Sequence, residues 1–126
     1  MHRIYLKIAT LLGAVSVMLG AFGAHKLKEM VEPATLTTFQ TGVTYQFYHC
    51  FALLAVGILY KRYRNKWMIW SGRFFTAGIL LFSGSLYILT VMQATEKVGV
   101  GGVGYVTPVG GVLLGVGWLW LMVGIL

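Results

Sequence analysis

Three stretches of this chain, Pro33 to Tyr60, Phe74 to Thr95 and Val98 to Leu126, contain no Asp, Glu, Lys or Arg, and Ile8 to Ala24 is equally free of charge. A helix of about 20 apolar residues crosses the ~30 Å hydrocarbon core of a bilayer. No water reaches that core, so the backbone must satisfy its own hydrogen bonds, as a helix does. The 126 residues are 58% hydrophobic and only 10% charged, too little charge for a soluble domain of this length. The expected architecture is all-α: an integral membrane bundle of four transmembrane helices. It forms one domain over 1–126, with spans near 4–24, 42–60, 67–92 and 107–126.

The net charge of +7 does not point to nucleic acid. The cations sit between apolar runs, as juxtamembrane anchors do. Tyr60-Lys61-Arg62-Tyr63-Arg64-Asn65-Lys66-Trp67 packs four of them into one connection with aromatic flanks. Arg3 and Lys7 bring that side to six, and Arg73, two turns inside the third span, can snorkel back to join them. The first and third connections hold three, Lys26, Lys28 and Lys97. The positive-inside rule then places both termini and the basic loop in the cytoplasm. The start of the chain mimics a secretory signal. Its apolar run is longer than a signal's core, so it is read as a retained span.

Small residues mark the packing faces. Ala9, Gly13, Ser16, Gly20 and Ala24 recur at spacings of three and four, and Gly111 and Gly115 form a GxxxG pair; both patterns let helices approach closely. Pro33 suits the first turn of a helix. A helix from Pro33 to Tyr60 would reach about 42 Å, so its start is expected at the interface, with a bend near Gly42. Pro108 fits the first turn of the last helix, with Thr107 as N-cap. Trp118 and Trp120 suit an interfacial belt. The glycines between Val98 and Tyr105 predict a flexible connection, without the lysine a phosphate-cradling loop needs. The single cysteine, Cys50, has no metal-ligand spacing around it and reads as a small apolar residue.

This topology gathers polar groups toward one end. His25 ends the first span. Thr41, Tyr45, Gln46, Tyr48 and His49 open the second. Ser83, Ser85 and Tyr87 lie late in the third, and Tyr105 and Thr107 open the fourth. All are placed in the extracytoplasmic half. Tyr45 and Gln46 stand four and three residues before His49, so the three share a broad helix face. Such groups are costly in a bilayer unless they face protein, water or a ligand.

Three readings follow. The cluster is a site for a small polar solute or ion, built from His25, Tyr45, Gln46, Tyr48, His49, Ser83, Ser85, Tyr87 and Thr107. Alternatively it is structural glue in a membrane scaffold or assembly factor. In the third reading His25 and His49 ligate haem iron, or a quinone is bound, in a redox protein. A zinc site lacks an evident third ligand. No span holds a carboxylate and no serine has a base–orienter pair, so the chain is read as non-enzymatic. The sequence names no cofactor. The glycine-lined faces predict a homo-oligomer.

The motifs Gly20-Ala21-Phe22-Gly23-Ala24-His25, Thr41-Gly42-x-x-Tyr45-Gln46-x-Tyr48-His49, Ala52-Leu53-Leu54, Phe82-Ser83-Gly84-Ser85-Leu86-Tyr87 and Thr107-Pro108-x-Gly110-Gly111 resemble those of the YgdD/YwdK-like family. Its members are small inner-membrane proteins of unknown function, with mitochondrial relatives of the TMEM type. The resemblance covers nearly the whole chain. It implies four helices and a multi-pass place in the bacterial inner membrane, and no established reaction. Val98 to Tyr105 departs from the family's shorter connection.

Overall fold

The computed structural model describes residues 1–95 and 102–126. They form five helices and no strand: α1 (Arg3–Ala24), α2 (Lys26–Met30), α3 (Pro33–Leu59), α4 (Lys66–Ala94) and α5 (Val103–Ile125). Four helical segments, Arg3–Met30, Pro33–Leu59, Lys66–Ala94 and Val103–Ile125, are long and apolar enough to cross a membrane. The expected all-α bundle of four spans is therefore present. The glycine-rich connection at 98–101 lies outside the described residues.

Neighbours in the chain are neighbours in space: α1 packs on α3, α3 on α4, and α4 on α5. The seams are heptad-like. The buried residues of α5 are Gly110, Leu114, Gly117, Leu121 and Gly124, a four–three spacing that keeps one stripe turned to its neighbour. Large residues on α4 meet small ones on α5. A Cβ on Gly124 would meet Met68, one on Gly117 would meet Phe75, and one on Gly110 would strike the Phe82 backbone. The order reverses once, where Leu114 fills the space beside Gly78. The expected Gly111/Gly115 pair is not this seam. A Cβ on Gly111 would make only ordinary contact with the Phe82 ring, and one on Gly115 would meet nothing.

The small face of α1 does pack as expected. Gly13 stands against the Cys50 sulfur, Gly20 against Val43 and Gly23 against Phe39, while Ala9 and Ser16 are buried. Ala24 is exposed, and Gly23 continues the seam instead. Helix α3 is central. Phe39, Val43, Gln46, Cys50 and Gly57 face α1, while Gly42 and His49 face α4. The helix continues through Gly42. That glycine makes room for the Tyr87 ring, 2.8 Å from where a Cβ would sit.

Two further boundaries differ. Helix α5 starts at Val103, so Pro108 lies inside it rather than at its first turn. Thr107 is not its N-cap. Its hydroxyl is taken by Ser85 across the α4–α5 seam, a partner that a cap position would forgo. At the basic end, Asn65 caps α4 by accepting from the amides of Trp67 and Met68 at 3.0 and 3.2 Å. Its own amide donates to the Gly124 carbonyl at 2.9 Å, tying down the end of α5. Arg73 behaves as a snorkelling side chain. Its guanidinium lies over Trp70, 4.9 Å from the ring centroid and one turn nearer the loop.

Side chains added to the α5 seam should separate it from α4. Gly110→Val and Gly117→Leu are each expected to lower stability by about 1–3 kcal/mol or more. Gly115→Ala should stay within about 0.5 kcal/mol of wild type. Thermal unfolding in detergent, followed by circular dichroism, checks both. Equal behaviour of the three variants would contradict the seam.

Candidate functional site

Gln46 is the most connected polar side chain of the bundle. It is 3% exposed. Its Nε2 donates to the Leu12 carbonyl of α1 at 3.2 Å, and its Oε1 accepts from the Tyr87 hydroxyl of α4 at 2.6 Å. The roles are fixed by chemistry. A carbonyl only accepts, so the amide nitrogen faces Leu12, and the oxygen is left for the one donor on the other side. The same Leu12 carbonyl also accepts from Ser16 at 2.7 Å. One amide thus ties three helices together.

Nearby, Ser83 of α4 donates to the Gly42 carbonyl of α3 at 2.7 Å. Gly42 lacks the side chain that would crowd this approach. Ser85 pairs with Thr107 and reaches the Phe82 carbonyl of its own helix at 2.8 Å.

His49 joins α3 to α5. Its Nδ1 lies 2.8 Å from the Tyr45 carbonyl, and its Nε2 lies 3.1 Å from the Trp118 indole nitrogen. The carbonyl can only accept and the indole N–H can only donate. The ring is therefore the neutral tautomer with its proton on Nδ1, both nitrogens occupied. An imidazolium would set N–H against N–H toward Trp118. Tyr45 stacks beside the ring at 15° and Phe75 tilts against it, 5.8 Å between centroids.

The structure thus brings together Gln46, His49, Ser83, Ser85, Tyr87 and Thr107, but not as one ring around a space. Three expected members stand apart. His25 is exposed between α1 and α2 and makes no side-chain cap. Tyr48 is 59% exposed on the outer face of α3. Tyr45 contributes its carbonyl and ring, which rests on Phe82 at 4.8 Å between centroids. Thr41 bonds the Thr37 carbonyl of its own helix, and Tyr105 is exposed. His25 and His49, read as a haem-ligating pair, are not assembled into one site. The cluster also reaches deeper than expected. His49 and Cys50 lie level with Gly13, near the middle of α1, not wholly in the half remote from the basic loop.

Sequence reasoning missed several partners. Trp118 was assigned to the interfacial belt, yet it is the hydrogen-bond donor to His49. A mid-span indole N–H that needs a partner was the available signal. Trp120 does lie toward the basic end, stacked on Trp67 at 4.8 Å. Ser71 donates to the Gly117 carbonyl at 2.7 Å, and Tyr5 to the Ile69 carbonyl at 2.7 Å. Backbone acceptors of this kind leave no mark in a sequence.

Two cavities among the described residues lie outside the cluster. One, of about 540 Å³, lies among the end of α2, the start of α3 and the end of α4, beside Glu32, Thr35, Thr38 and Gln93. The other, of about 470 Å³, is an apolar groove along α4 and α5 that meets the cluster only at Ser85. Chemically, the buried groups of the cluster form neutral, paired hydrogen bonds, chiefly between helices; at the basic end the Trp120 indole nitrogen is buried with no hydrogen-bond partner among the described residues.

The comparisons with known proteins agree with this fold. The family described as Protein of unknown function (DUF423) matches residues 19–111. The chain is 40% identical over 123 residues to a UPF0382 membrane protein of Staphylococcus saprophyticus, covering 94% of this chain and 97% of that one. It is 38% identical over 122 residues to the UPF0382 inner membrane protein YgdD of Escherichia coli, covering 97% and 88%. A UPF0382 membrane protein of Haemophilus influenzae is 41% identical over 124 residues, covering 98% and 94%. No solved structure matches the chain. With matches of this extent across four helices of membrane-spanning length, the chain belongs to the DUF423 family, whose UPF0382 members are membrane proteins of unknown function.

Proposed function

We propose that this protein is a non-catalytic membrane scaffold whose polar cluster locks the helices into one unit, and whose outer α3 face binds a second copy. The observation that carries the reading is the Gln46 amide, with one end on α1 and the other on α4. A solute site needs polar groups left free to meet the solute, and here the buried ones are turned on each other. Both termini are placed in the cytoplasm, on the strength of the cations at the basic end.

Self-association rests on the face that α3 leaves uncovered. Thr37, Thr44, Tyr48 and Phe51 are exposed there at spacings of seven, four and three. Tyr48 stands near the depth of Cys50, the middle of the bundle. A phenol at that depth meets only hydrocarbon unless protein covers it, and an unpaired hydroxyl in hydrocarbon is costly. A second copy carries the same hydroxyls at the same depth. Because a hydroxyl both donates and accepts, the stripe can pair with itself.

A solute-binding reading has one observation in its favour: the cavity beside Glu32, Thr35, Thr38 and Gln93. It would place a small polar solute at the mouth of the bundle rather than within the cluster.

In the scaffold reading Gln46→Ala and Tyr87→Phe each lower thermal stability by about 0.6–2 kcal/mol. The double variant should lose less than their sum, because both break the same bond. Saturable solute uptake into proteoliposomes that disappears in Glu32→Gln, with stability unchanged, would instead establish the solute site. For the dimer, Tyr48→Cys in a Cys50→Ala background should cross-link between copies in native membranes, whereas Leu114→Cys should not. Monomers at both positions would overturn self-association.

A further inference from the structure

We propose that the basic end of the bundle is a binding belt for the phosphate of anionic glycerophospholipids, centred on Lys66, Trp70 and Arg73 of α4. The argument starts from where the charge lies. The chain has no aspartate, and its three glutamates are Glu29, Glu32 and Glu96. Glu29 lies in α2 and Glu32 immediately precedes α3, both at the end remote from the basic loop, and Glu96 follows the C-cap of α4 in sequence. Lys26, Lys28 and Lys97 balance those three in number. The other seven cations, Arg3, Lys7, Lys61, Arg62, Arg64, Lys66 and Arg73, equal the whole net charge of +7. They share one end, and no glutamate among the described residues lies there.

Four of these seven cations rest on aromatic rings. Arg62 lies over Tyr63, Arg64 over Tyr60, Lys66 over Trp67 and Arg73 over Trp70, with the charge 4.6 to 5.9 Å from each ring centroid. A cation resting on a ring keeps its donors free for an anion while losing little further freedom when the anion arrives. Aromatic rings of this kind settle at headgroup depth.

One stripe is shaped for a lipid rather than for a free ion. Lys66, Trp70 and Arg73 follow one another at spacings of four and three and are all exposed, so they share one outward face of α4. Ala77, Leu80 and Leu81 continue the exposed face into the span. A phosphate between the two cations would therefore have its acyl chains laid along an apolar helix surface. The belt depends on the charge layout and not on the scaffold reading.

The test uses the full chain in lipid nanodiscs, released for native mass spectrometry. Mixtures of phosphatidylcholine and phosphatidylglycerol supply the lipids. Wild type should retain phosphatidylglycerol over phosphatidylcholine, and Arg73→Gln should lower that preference about fivefold, the effect of one cation near an anionic surface. Arg73→Lys should keep most of it. The loop cations stay intact in these variants, so topology is undisturbed, and circular dichroism reports the fold. Equal retention of both lipids by wild type, or no change in Arg73→Gln, would overturn the belt. Displacement of the retained lipid by millimolar inorganic phosphate would show a free-anion site and overturn the lipid assignment.

Discussion

A polar side chain buried among membrane helices has no water to turn to, so its partner must come from protein. That constraint organises this bundle. Gln46, His49, Ser71 and Ser83 each bond a helix other than their own. The Gln46 amide is the most demanding, because its two ends carry opposite roles and need a donor on one side and an acceptor on the other. Sliding α1 along α3 by one residue would carry the Leu12 carbonyl away and leave the amide nitrogen unpaired in an apolar medium. Hydrogen bonds of this kind are modest in free energy. Their value here lies in register, since they penalise every alternative alignment of helices whose apolar surfaces would otherwise slide freely.

Distance between the helices is set by something else. Hydrocarbon side chains gain little by leaving hydrocarbon lipid, so close packing and not the hydrophobic effect draws transmembrane helices together. Glycine then matters as an absence. At Gly110, Gly117 and Gly124 the missing side chain admits Phe82, Phe75 and Met68 of α4. Close approach also brings backbone carbonyls within reach, as at Gly117 for Ser71 and at Gly42 for Ser83. The glycine seams therefore create the acceptors that the serines use, and the two devices depend on each other.

This division explains what the sequence reveals. Uncharged runs gave the four spans directly, because the bilayer forbids the alternatives. Small residues on α1 were readable as a packing face, since their spacing is visible without knowing the partner. On α5 the same reasoning chose Gly111 and Gly115, although the seam is Gly110, Gly117 and Gly124. The fourth span carries more glycines than one seam needs, and only the position of α4 decides which are used. The polar cluster was legible as a set of residues but not as a set of bonds. Gln46, Ser83, Ser85, Tyr87 and Thr107 do meet, while His25 and Tyr48 point elsewhere. More than half of the partners are backbone carbonyls, those of Leu12, Gly42, Tyr45 and Phe82, which any residue type would have supplied. Trp118 was misplaced because a tryptophan late in a span is often interfacial, and only the neighbouring His49 shows where the indole N–H of this half-exposed ring finds its partner.

His49 bears most directly on function. An isolated histidine in a membrane span invites a role in proton transfer or ligation. Here the Tyr45 carbonyl and the Trp118 indole prescribe one neutral tautomer. To accept a proton or a metal at Nε2, the ring must first give up Trp118, and with it the only side-chain hydrogen bond joining α3 to α5 among the described residues. Such chemistry would loosen the contact between two helices at the moment it occurred. That cost fits the proposed scaffold, in which the cluster keeps the bundle in one shape while its outer faces meet other molecules.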